Sequence, residues 1–153
     1  MNIIFYIPGM SFHGGTIAEG KSLGGSESSG YYLALELAAR GHGVTVFTCI
    51  QPQEEGVWGG VKYLPIGQQS QRYPHGETFE GYAGNTPHDV LIAQRKPDLF
   101  ARVYASKINL WWSHDLARKS MQPPLACQLW NVDAVLTVSD WHKRQVADVY
   151  GIP

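Results

Sequence analysis

Cysteine, surplus charge and long apolar runs are all scarce in this chain. Only two cysteines occur in 153 residues, Cys49 and Cys127, and neither has a C-x-x-C partner or a histidine at ligand spacing. Such a pair reads as reduced thiols of a cytoplasmic protein rather than a disulfide or a zinc site. No apolar run reaches the roughly 18 residues of a spanning helix. An apolar segment starting at Asn2 leaves no room for a signal peptide. Twelve Lys and Arg stand against 13 Asp and Glu, a net charge of -1, so there is no basic footprint for nucleic acid. The dinucleotide fingerprint G-x-G-x-x-G is missing after the first apolar segment, and Thr48-Cys49 stands where an acidic residue would follow the second. No P-loop pattern occurs either. These gaps weaken the dehydrogenase and nucleotide-hydrolase readings, and no cofactor is implied.

What is present is a folded body. Hydrophobic residues make up 44% and charged residues 16%, enough to bury a core in one domain. Asn2 to Ile7 is a short apolar run without alternation, ended by Pro8-Gly9, as in strands buried on both faces. Further strands are predicted at Val44 to Thr48, Val61 to Ile66, Asp89 to Ala93, Lys107 to Trp112 and Ala134 to Val138. Gly67 to Thr86, which contains Pro74, reads as a loop or a short helix. Pro97 to Phe100 starts a short helix, an irregular piece is broken at Pro123-Pro124, and Ser139 to Tyr150 is the last helix, stopped by Gly151. Strands alternating with helices predict an α/β, doubly wound, mostly parallel sheet of about six or seven strands with helices on both faces.

The chain is organised around Leu23 to Arg40, a loop carrying Gly24-Gly25 that runs into a helix. Ser26 can cap it, and Glu27 places a carboxylate in the first turn, where the helix dipole favours one. Gly30, Leu33, Ala34, Leu37 and Ala38 fall on one face, and Gly41 supplies a stop. An open helix amino end beside a parallel sheet is an anion site; the plainer reading is a capped helix after an ordinary loop. Glycine at positions 24 and 25 serves either a close backbone approach by a ligand or a positive φ in the loop.

Ligands of such sheets bind beyond the carboxyl ends of the strands. Four segments with chemistry leave those ends: Gly9 with the loop to Gly24-Gly25, Gln94-Arg95, Ser113-His114-Asp115, and Ser139-Asp140. Arg95 either meets an anionic group or is an ordinary surface arginine. Ser139 reads best as a helix cap. Trp111 and Trp112 alternate across a strand, so both can be core on opposite faces. Tyr73, His75, Phe79 and Tyr82 either line a sugar-binding pocket or pack the loop.

The order of several pieces resembles the amino-terminal half of a GT-B glycosyltransferase of the family-4 (group 1) type. They are the first strand ending at Pro8, the helix start Gly24-Gly25-Ser26-Glu27, and Leu37 to Val46 containing Gly41-His42-Gly43-Val44-Thr45-Val46. To them belong Ser113-His114-Asp115, and Ala134 to Ser139 before a helix that ends in Tyr150-Gly151-Ile152-Pro153. The resemblance implies that residues 1–153 form one Rossmann-like acceptor-side domain. It also implies a carboxyl-terminal donor-binding domain, with its basic pair and E-x7-E motif, that this chain lacks, leaving the chain inactive by itself. The implied reaction moves a sugar from a nucleotide-diphosphate sugar to a carbohydrate, lipid or other small acceptor, with retention. No metal is implied, and contact with a membrane surface is left open. His114 would meet the donor sugar near the reacting centre, with Asp115 behind it. Gly24, Gly25, Glu27, Arg95 and Ser139 would line the substrate side. The competing readings are a non-catalytic α/β ligand-binding or regulatory module and half of a nucleotide-sugar epimerase.

Overall fold

The computed structural model describes residues 1–67, 78–121 and 129–152. Tyr73, Pro74, His75, Pro123-Pro124 and Cys127 lie outside the described residues, and so does Pro153. The fold is α/β, with a seven-stranded, mostly parallel sheet and helices on its faces.

The strands are β1 (Asn2–Ile7), β2 (Gly43–Thr48), β3 (Gly56–Trp58), β4 (Val61–Pro65), β5 (His88–Gln94), β6 (Ser106–Trp112) and β7 (Ala134–Leu136). Their order across the sheet is β3-β4-β2-β1-β5-β6-β7, and every pairing is parallel except the β3–β4 hairpin. β3 is absent from the sequence expectations. Trp58 pairs with Val61 across Gly59-Gly60, whose φ angles of 56° and 80° form a tight turn that glycine adopts without strain. The last strand is also shorter than expected, ending at Leu136.

Period-two alternation sends each central strand to two cores. Ile3, Phe5 and Ile7 of β1 join Val44, Val46, Val61, Tyr63 and Ile92 on one face. Ile4 joins Phe47, Leu64, Leu91, Ala93 and Trp111 on the other. The central strands therefore carry apolar residues on both sides, which is why they read as continuous runs. Trp111 and Trp112 divide between the faces as alternation requires.

Helix α1 (Gly25–Ala39) covers the first face through Gly30, Tyr31 and Ala34. The second face is covered by α2 (Phe79–Asn85), the 3-10 turn Pro97–Ala101, and the end of α3 (Asp140–Tyr150). Phe79 is fully buried against Tyr6 and Phe47, with ring centroids 4.6 and 5.1 Å away. Phe79 is thus core rather than pocket lining, and Tyr82 packs half-buried beside it. Asn2 to Ile7 matches β1, and the α3 boundaries also match expectation. Gly151 closes α3 at φ 67°. Cys49 is a free, exposed thiol.

Candidate functional site

Sheet order reverses between β1 and β5, and the carboxyl ends of these two strands are where ligands of such sheets bind. Gly9 follows β1 there, and Gln94-Arg95 closes β5. The first turn of α1 sits at the same end of the sheet. Gln94 is fully buried, and its Nε2 donates to the Ser26 carbonyl at 3.2 Å, tying β5 to α1.

Helix α1 starts differently from expectation. Gly24 is its N-cap, with φ -65° and ψ 164°, and no side chain caps it. The Ser26 hydroxyl instead donates to Glu27 Oε2 at 2.9 Å. Neither Gly24 nor Gly25 has a positive φ, which removes that explanation for the pair. Gly24 is bare for Glu27: a Cβ there would lie 2.4 Å from Glu27 Oε2. Gly9, at φ 133°, is bare for the same carboxylate, since its Cβ would lie 2.5 Å from Oε1. Gly25 is exposed, with nothing within 4 Å of a Cβ, so the fold itself does not demand glycine at that position.

Glu27 is therefore more than charge near a helix end. It is 4% exposed, accepts from the Ser26 hydroxyl and, at 3.5 Å, from the Met10 amide, and lies 4.0 Å from Arg95 Nη1. Burial pushes its pKa up, but its own amide, Ser26, Met10 and Arg95 outweigh this and hold it below the ordinary glutamate value. The amino end of α1 thus already holds an anion, the chain's own carboxylate.

Arg95 is not a lone surface cation. Its guanidinium grips Asp115 with two hydrogen bonds, Nε to Oδ2 at 3.0 Å and Nη2 to Oδ1 at 2.8 Å. Among the described residues it is the only non-glycine with a positive φ, at 64°. Its amide donates to the Trp112 carbonyl at 3.0 Å, which fixes the turn that carries it across to β6. Asp115 is held low chiefly by the Arg95 hydrogen bonds.

His114 follows β6 and packs on Trp112, with ring centroids 4.8 Å apart. Among the described residues, no carboxylate or carbonyl hydrogen-bonds its ring, Asp115 included. Its Nε2 is buried and has no partner among the described residues. Burial and then the Arg95 guanidinium push its pKa down, which favours the uncharged ring. Charge on Glu27, Asp115 and Arg95 all reaches this ring, so the four side chains form one electrostatic cluster.

Ser139 is committed elsewhere: its hydroxyl accepts from the His142 amide at 3.1 Å, capping α3. His142 itself was not anticipated. It is 2% exposed and its Nε2 donates to the Asp115 carbonyl at 2.9 Å, pinning the His114–Asp115 loop from α3. Gln145 pins the loop's next stretch with two bonds of 3.0 Å to the Ala117 backbone.

Among the described residues, no group of three or more His, Cys, Asp or Glu could hold a metal ion, and no helix is long and apolar enough to cross a membrane. No family model matches this chain, and no curated protein matches it.

Proposed function

We propose that this chain is the acceptor-side domain of a glycosyltransferase that uses a nucleotide-diphosphate sugar, in the manner of the GT-B family-4 type. The observation that carries the reading is the imidazole of His114, whose buried Nε2 has no partner among the described residues, at the carboxyl-end rim of the sheet with Arg95 and Asp115 beside it and Glu27 close by. A neutral ring nitrogen of this kind can hydrogen-bond a sugar hydroxyl as charge develops at the reacting carbon. Exposed Gly25, bare without structural need, leaves backbone surface for a diphosphate just outside the position that Glu27 fills.

In this reading the nucleotide is held by a second domain of the GT-B plan, and the rim supplies the sugar side. Retention follows from the family resemblance. One observation favours a different class: Glu27 occupies the helix amino end, as in a module that binds a neutral ligand and no phosphate. The deciding experiment assays sugar transfer by the product of the complete reading frame, with and without the His114 imidazole. Transfer that collapses with the imidazole supports the transferase. Absence of transfer from every nucleotide sugar supports the module.

A further inference from the structure

We propose that His142 and Gln145 are positioning residues for His114, holding from α3 the backbone of the loop that carries the imidazole and so keeping its ring on Trp112. The Nε2 of that ring has no partner among the described residues, and its ring contact is with Trp112, at a centroid distance of 4.8 Å. A side chain without a hydrogen bond to place it takes its position from its backbone and its stacking partner. The backbone is tied on both sides of His114. The Ser113 amide donates to the Leu136 carbonyl of β7 at 2.9 Å, and the Asp115 carbonyl accepts from His142 Nε2 at 2.9 Å. Gln145 then takes both groups of Ala117: its Oε1 accepts from the amide and its Nε2 donates to the carbonyl, each at 3.0 Å. The Tyr150 hydroxyl accepts from the Arg118 amide at 2.9 Å. Residues at i, i+3 and i+8 share one side of a helix, so a single side of α3 holds Asp115, Ala117 and Arg118.

His142 is built for this task. It is 2% exposed, and the Val138 amide, which can only donate, meets its Nδ1 at 3.4 Å. Nε2 therefore carries the ring's hydrogen and gives it to the Asp115 carbonyl. Arg95 does not replace this hold, since its two hydrogen bonds fix the Asp115 side chain and not the loop's backbone. The consequence is readable at His114 itself. Burial is the largest cause of its lowered pKa, followed by the Arg95 guanidinium; Asp115 and Glu27 pull the other way, and His142 adds the smallest lowering. A loosened loop lets water reach the ring, so the His114 pKa should rise toward the ordinary 6.5.

The clamp rests on the proposed function only for its effect on sugar transfer, so it is tested first on the chain alone. The His114 imidazole is titrated by NMR, with its signal assigned by its absence in His114→Gln, in wild type, His142→Phe, His142→Gln and Gln145→Leu. His142→Phe keeps a ring and loses both of its hydrogen bonds. His142→Gln keeps an N–H for the Asp115 carbonyl, and Gln145→Leu removes the other hold without touching a charge. The His114 pKa should rise in His142→Phe and in Gln145→Leu and stay near wild type in His142→Gln. Exchange of the Ala117 amide in Gln145→Leu should quicken about five- to tenfold, the scale of one lost hydrogen bond.

A merely structural role would lower the unfolding temperature and leave the His114 titration of the folded variants unmoved, which overturns the proposal. A rise in His142→Gln equal to that in His142→Phe overturns it too, because glutamine lacks the imidazole charge but keeps the hold. Should His142→Phe fail to fold, Gln145→Leu decides by itself. In the product of the complete reading frame, Gln145→Leu with a raised His114 pKa and undiminished transfer would sink the catalytic reading of His114 and leave the clamp. An unmoved His114 pKa would sink the clamp and leave that reading standing.

Discussion

Replacing Glu27 with glutamine tests how the first turn of α1 is built. The carboxylate accepts from the Ser26 hydroxyl and the Met10 amide, stands 4.0 Å from Arg95 Nη1, and is 4% exposed. Glutamine keeps the shape and loses the charge. It also turns one acceptor oxygen into an NH₂ that must face either the Met10 amide or the Ser26 hydroxyl. Losing a partly buried charge at a helix amino end costs about 1 kcal/mol, and weakening its charge-assisted hydrogen bonds costs about another. Glu27→Gln should therefore unfold about 2 kcal/mol more easily at pH 7, or several degrees lower in Tm for a domain of this size. The loss should depend on pH. Because the folded pKa lies below the ordinary glutamate value of 4.5, the carboxylate stabilises the fold above that value, and the benefit disappears as pH falls through the lowered one. Urea denaturation followed by tryptophan fluorescence at pH 7, 4 and 3 measures it. The gap between wild type and variant should close toward pH 3. A gap that stays the same at all three pH values, or is absent at pH 7, would refute the argument.

Gly30→Ala should destabilise by about 1–2 kcal/mol in the same assay, because its Cβ would come within 2.5 Å of Ile7 Cδ1 and 2.9 Å of Gln94 Nε2. The helix-propensity gain of about 1 kcal/mol does not offset that crowding, and a stabilised variant would show that the α1–sheet contact is looser than drawn. At Arg95, the φ of 64° makes Arg95→Gly more stable than Arg95→Ala by about 1 kcal/mol, since glycine adopts that angle without strain. Both variants should raise the Asp115 pKa, read by carboxyl NMR titration, because the Arg95 hydrogen bonds are its main depressing cause.

The sheet was legible because its strands are buried on both faces, so β1, β2 and β5 read as unbroken apolar runs. β3 was not, since three residues give no alternation to read; its one signal was Gly59-Gly60 between Trp58 and Val61. Strand-end logic placed Arg95, His114 and Asp115 on one rim, but partnership was invisible. Nothing in sequence spacing joins Arg95 to Asp115, 20 positions on, or His142 to the Asp115 carbonyl, 27 positions away. The surroundings of Glu27 were illegible for a similar reason. Its carboxylate is enclosed by Gly9, which is distant in sequence, and by Gly24, whose lack of a side chain reads in isolation as loop freedom. His142 carried a faint signal, three positions after Ser139 at a helix start. Trp111 was legible as core from its place in β6, and it is buried on one face of the sheet.

The central claim, that the rim around His114 serves sugar transfer, meets its most direct test in His114→Ala made in the product of the complete reading frame. Transfer from nucleotide-diphosphate sugars and thermal unfolding are measured side by side. The account predicts an unfolding temperature close to wild type, because the Nε2 of His114 has no hydrogen-bond partner among the described residues. It predicts a kcat reduced roughly 10²- to 10³-fold, the scale of a lost hydrogen bond that strengthens in the transition state. A correctly folded variant that retains its turnover would contradict it.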